Sequence, residues 1–185
     1  MTLPTMLTES DLPLAELTAL MLDGELYRLD TGYSPVDQPD FPSVRAATLA
    51  CRWPHRLIVE QHSAAWVHGA LERPPARHEL CADTGARARP TNLRAASVRE
   101  VVISADEVQG MGGIDVTTPV RTVCDLARFS AFDDTDRRTC ARLLRIGGTD
   151  VDECLRIVQS RPKLMHKQRT IARLRAIGDY PDETR

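Results

Sequence analysis

TTPVRTVCDLAR, residues Thr117–Arg128, divides the chain into two kinds of sequence. Upstream lie short apolar runs that read as strands: Ala76–Ala82, Ile114–Thr117 and, clearest of all, Val98–Ser104. Downstream only helical spacing appears. Within the stretch, Thr118 is a good N-cap and Pro119 suits the first helical position, where a missing N–H costs nothing. Val120, Val123, Cys124 and Ala127 supply a buried side. Arg121 and Asp125, four residues apart, share a face and are expected to form an ion pair that orients the helix rather than a catalytic pair. Strands before this helix and helices after it predict an α+β chain.

Working outward, helices are expected over Pro119–Phe129, Thr135–Ile146, Val151–Ser160 and His166–Ile177, punctuated by Gly147-Gly148 and Arg161-Pro162. Upstream, Ser43 should cap a helix reaching about Arg52, and a second helix is expected over His62–Ala70. Asp83–Pro90 reads as a loop, and Gly110, Gly112 and Gly113 mark another flexible one. In the first 36 residues, Thr8 with Asp11 could start a short helix. A better helix runs from Pro13 to Leu22, with Leu14, Leu17, Leu20 and Met21 on one stripe. Glu25–Leu29, the turn Thr31-Gly32 and a return strand from Tyr33 to Pro35 complete the back half of a winged helix. The proline-rich Val36–Pro42 is a linker, so the expected division is 1–36, a partial winged helix-turn-helix, and 37–185, a mixed α/β domain with a helical C-terminal third.

Composition sets the outer bounds. With 185 residues, 42% apolar and 27% charged, the chain can form one core without staples. No run approaches the roughly 20 apolar residues of a membrane span, and no secretory leader is evident. Five cysteines without a Cys-x-x-Cys pair point to reduced thiols and a cytoplasmic location. The net charge of −2 conceals an asymmetry: residues 1–40 hold eight acids and one base, whereas residues 137–185 hold twelve bases and six acids. The helix Pro13–Leu22 has no Arg, Lys, Asn or Gln with which to read base edges. Phosphate contacts are therefore expected from Arg28 in the N-terminal hairpin and chiefly from two basic helices. Arg138, Arg142 and Arg145 share a face of one; Lys167, Arg169 and Arg173 lie on the other.

Enzyme signatures are missing. There is no phosphate-binding loop with Gly-Lys-Ser/Thr, no Gly-x-Ser-x-Gly elbow, no His-Glu-x-x-His and no PD-(D/E)xK arrangement. In HSAAWVHG, His62–Gly69, the two histidines are six apart, about 240° round a helix, so they do not face one ligand. A tightly packed helix around Trp66 is the expectation there. Asp133, Asp134 and Asp136 read as the acidic first turn of a helix. No catalytic residue, metal or cofactor is expected.

Three segments together resemble the AbiEi-type antitoxin family of transcriptional regulators. Gly24, Leu26, Arg28, Leu29, Gly32, Tyr33 and Pro35 fill much of the pattern that closes its winged helix. Ser63, Trp66, His68 and Gly69 lie in a match to its S-A-A-W-L-H-G helix, with Val67 in place of leucine. Thr118, Pro119, Arg121 and Asp125 lie in a match to its T-T-P-x-R-T-x-x-D-L-A-R motif. The resemblance implies a DNA-binding autorepressor that counteracts a nucleotidyltransferase toxin, without a stable complex between the two. Relatives carry an added nuclease domain after the helical segment; none is expected here. The alternatives are a non-enzymatic interaction or homodimerisation module with a degenerate winged helix, and a remnant of a Vsr-like nuclease family lacking the catalytic domain.

Overall fold

The computed structural model describes residues 6–85 and 95–178. The chain begins with α1 (Leu14–Leu22), β1 (Leu26–Leu29) and β2 (Gly32–Pro35), the helix–strand–turn–strand order expected of its first 36 residues. Asp30, at φ 53°, turns the antiparallel hairpin. No helix forms at Thr8. Asp11 accepts from the Thr8 amide and hydroxyl, both at 2.8 Å, and that local closure is a turn. Tyr33 instead bridges to Leu7 through two backbone hydrogen bonds. Of the α1 apolar stripe only Leu17 is buried, in a small cluster with Leu7, Leu26 and Tyr33. Leu14 is 52% exposed and Leu22, just outside the stripe, 83%. The hairpin docks on the rest through Leu29, which enters the main core, and through Asp30, 3.3 Å from His78.

The helix α2 (Pro42–Ala50) starts two residues earlier than expected: Pro42 takes the first turn and Phe41 the N-cap position, so Ser43 does not cap it. Next come β3 (Ile58–Val59), α3 (Gln61–Val67), β4 (His78–Asp83) and β5 (Ala96–Val101), then a short 3-10 turn (Ala105–Glu107), β6 (Val108–Met111) and β7 (Ile114–Thr117). These strands form one mixed sheet in the order β5-β4-β3-β7-β6. β4 and β5 are parallel, as are β3 and β7; the other pairs are antiparallel. The central strand β3 and the edge strand β6 are absent from the sequence expectations. β3 has two residues, both buried, and so lacks the alternation that marks a strand; β6 contains Gly110. The expected loop through Gly110–Gly113 is therefore a hairpin, with Gly112 (φ 57°) and Gly113 (φ 88°) as its two-residue turn. A Cβ on Gly112 would lie 2.3 Å from the Ser43 carbonyl oxygen, so glycine lets this turn rest on α2. The strand expected over Val98–Ser104 lies slightly earlier, and the expected loop Asp83–Pro90 lies outside the described residues from 86 onward.

Four helices follow, α4 (Pro119–Phe129), α5 (Asp134–Gly147), α6 (Val151–Ser160) and α7 (Lys167–Gly178), within a residue or so of the expected ranges. Asp133 and Asp136 form a capping box on α5, which ends on Gly148 at φ 60° with Thr149 N–H donating to Leu144 O. α3 lies between two cores. Trp66 and Val67 pack with the sheet and α2, whereas Ala65 packs with Val123, Leu126, Cys140 and Leu143 of the helical layer. Small residues at 64 and 65 allow that close approach. The result is an α+β fold with a helical C-terminal third.

Candidate functional site

The two motif segments meet. His68 Nε2, 2.8 Å from the Thr117 carbonyl, must donate to it, and burial holds the imidazole below its ordinary pKa and neutral. Gly69, at φ 84°, ends α3 just beyond it. Ser63 donates or accepts at 3.1 Å with His78 Nδ1 and accepts from the Glu79 amide, tying α3 to β4. Trp66 is fully buried. Arg45 donates to the carbonyls of Trp66 and Leu71 while its guanidinium lies 5.7 Å from the indole. Thr118 caps α4 by accepting from the Arg121 amide, with Pro119 in the first turn.

Arg121 and Asp125 do pair, at 2.8 Å, but as part of a larger buried ionic lattice. Arg121 Nη1 also lies 2.8 Å from Glu107 Oε2, and Glu107 pairs with Arg161. Asp125 Oδ2 lies 3.2 Å from Arg99, which grips Glu60 with two bonds of 2.6 Å. Arg128 stands 3.5 Å from the other Asp125 oxygen, and the Phe129 ring is covered by both Arg99 and Arg128. Burial raises the Glu60 carboxyl against the pull of Arg99. At Glu107 burial pushes the same way, but the Ser104 amide, Arg121 and Arg161 outweigh it and hold the acid below its usual value. The charges come from the β3–α3 junction, β5, the 3-10 turn, α4 and the end of α6, so the lattice joins sheet to helices. It borders a cavity of about 330 Å³ walled by Val120, Cys124, Ile157 and Leu164. Sequence reasoning missed Glu60, Arg99 and Glu107, because partners 14 to 54 positions apart leave no spacing signal.

His62 is the second joint. Its ring lies 2.9 Å from Glu79 and 2.7 Å from Asp136, linking α3, β4 and α5. The hydrogen bonds to Asp136 and Glu79 outweigh desolvation and raise the imidazole to about 10, so it is an imidazolium at neutral pH. The acidic run Asp133–Asp136 is thus a helix cap plus one ion-pair partner.

The basic residues sort into two groups. On α7, Lys167 donates to the carbonyls of Gln159 and Arg161, Arg169 to Arg128, and Arg173 to Ala127, Ser130 and Ala131. They close the C-terminal ends of α6 and α4, where carbonyls lack helical partners. On α5, Arg138, Arg142 and Arg145 are exposed. Arg28 is also exposed and donates to the Asp30 carbonyl within its own hairpin. Among the described residues no group of three or more His, Cys, Asp or Glu side chains is placed to hold a metal ion, and no helix is long and apolar enough to cross a membrane.

Residues 57–138, which span β3 to the first turns of α5, match the family model of the AbiEi antitoxin C-terminal domain. No curated protein matches the chain. Among solved structures, the crystal structure of the RV2827C protein from Mycobacterium tuberculosis is similar at 17% identity and a TM-score of 0.39, covering 94% of this chain and 75% of that one.

Proposed function

Because residues 57–138 match the AbiEi antitoxin C-terminal domain, we propose that the chain is a DNA-binding regulator that represses its own operon and counteracts a nucleotidyltransferase toxin in the cytoplasm. The matched domain supports an antitoxin role; DNA binding and the class of toxin are part of the proposal. Residues 1–36 serve as a partial winged-helix segment and 37–185 as the antitoxin domain, without catalytic residues. The observation that carries DNA binding is the exposed guanidinium face of α5: Arg138 and Arg142 engage no side-chain acid among the described residues and stand ready for phosphates. Arg28 on the hairpin adds a single cation.

The test is a titration of labelled duplex DNA, random and from the region upstream of the gene, at two salt concentrations. Tight binding to the upstream duplex that weakens steeply with salt supports the reading. No binding at either salt overturns it. Co-expression with a neighbouring nucleotidyltransferase, scored as restored growth, tests the antitoxin arm.

A second reading, dimerisation through α1, is favoured by one observation: Leu14, Met21 and Leu22 are exposed on a nine-residue helix. A dimer would bring two copies of the α5 face to one duplex. Light scattering of the wild type and of Leu22→Glu decides it: a dimer that dissociates in the variant supports it, and a wild-type monomer removes it.

A further inference from the structure

We infer that a cleft between the segment after α3 and the first half of α5 is a binding site for a backbone phosphate of nucleic acid, with Arg73 as a ligand alongside Arg138 and Arg142. The cleft encloses about 380 Å³ and is lined by Arg73, Arg138, Arg142, Thr135, Thr139 and the 71–72 backbone segment, including Glu72. It rests on the nucleic-acid reading above for the source of the phosphate, and sharpens that reading to one place on the surface.

Three observations select this cleft from all the basic surface. The first is the state of the guanidinium groups. Arg99, Arg121, Arg128 and Arg161 are engaged in the ionic lattice, and Arg45, Arg169 and Arg173 at helix ends. Arg73 and Arg138, by contrast, have no protein acceptor among the described residues, and Arg142 has only a long 3.4 Å contact with the Ala70 carbonyl. The second is convergence. Arg73 is some 65 positions from Arg138 in sequence, yet both line one hollow, so three planar forks approach one tetrahedral anion from two elements.

The third is the fate of the nearby acids. Asp134 is paired with Arg137, Asp136 with His62, and Asp133 accepts the Asp136 amide as the α5 cap. Glu72 is the one carboxylate among the cleft-lining residues, leaving three guanidinium charges against one acid. A small apolar or cationic ligand finds no complement there. A phosphate finds both charge and geometry.

The experiment measures affinity for a short labelled duplex across a salt series, for the wild type, Arg73→Gln with Arg138→Gln, and Glu72→Gln. All three substituted residues are exposed, and melting curves check that each variant folds. The double variant is expected to lower the slope of log K against log salt by about 0.9, the loss of one phosphate contact. Glu72→Gln is expected to tighten binding. Inorganic pyrophosphate, scored by thermal shift, separates this inference from the reading beneath it. Duplex binding that ignores both variants overturns the cleft and leaves the regulator standing. No duplex binding, with a pyrophosphate shift that the double variant abolishes, overturns the regulator and retains a phosphate site. Absence of both responses overturns the two together.

Discussion

His62 illustrates how a single side chain can join three elements. Its ordinary pKa of 6.5 is raised to about 10 in the fold, so the folded state holds a proton that the unfolded chain releases. The stability it contributes is complete below about pH 6.5 and drains away as the pH climbs to about 10. Replacing it with glutamine leaves two carboxylates without their cation and is expected to cost about 1.5–3 kcal/mol at pH 6. Urea titrations of wild type and His62→Gln should converge towards pH 10, and a gap that widens with pH would contradict this assignment. Arg121 is the parallel case in the lattice. Arg121→Ala strips Asp125 and Glu107 of a shared, buried counter-charge and is expected to cost about 3–5 kcal/mol. A lowered melting temperature with DNA affinity retained is the expected outcome.

At the scale of elements, turns and helix ends carry the predictions. Gly112 and Gly148 both have positive φ, but their surroundings differ. A Cβ at 148 meets nothing within 4 Å, so Gly148→Ala is expected to cost only the backbone term, about 1–2 kcal/mol. At 112 it also strikes the Ser43 carbonyl and the Ala47 amide nitrogen of α2, and Gly112→Ala should be clearly the worse of the two in melting experiments. The α7 cations make a second contrast. Arg173 closes the end of α4 through three carbonyls, so Arg173→Gln should lower the melting temperature, with its effect on DNA affinity following only from unfolding. Arg142→Glu with Arg145→Glu should do the reverse, weakening duplex binding with little change in melting.

At the scale of the whole molecule, two cores meet at α3, and polar side chains stitch them together. Much of this was legible beforehand, for a physical reason. Helices α4 to α7 bury periodic stripes, and their ends bear local signals such as Thr118-Pro119, Asp133 and Gly148; hence their ranges could be read within a residue or so. The hairpin β1–β2 was legible from its two short runs, although the turn falls at Asp30-Thr31, one residue before the expected Thr31-Gly32. The strands β3 and β6 were not, because a two-residue central strand has no period and an edge strand with glycine has little propensity. Thr8–Asp11 shows the opposite error: a capping pattern without a following apolar stripe closes a turn and goes no further.

The candidate site divides along the same line. Local sequence alone determined the α+β class, the helical third, the pairing of Arg121 with Asp125 and the basic character of α5 and α7, because each depends on spacings of a few residues. Tertiary structure alone decided which cations remain available. It set Lys167, Arg169 and Arg173 on the carbonyl ends of neighbouring helices, drew Glu60, Arg99 and Glu107 into the lattice, and brought Arg73 to the α5 face. A formal charge is written in the sequence, but the partner that occupies it is set by packing between elements distant along the chain.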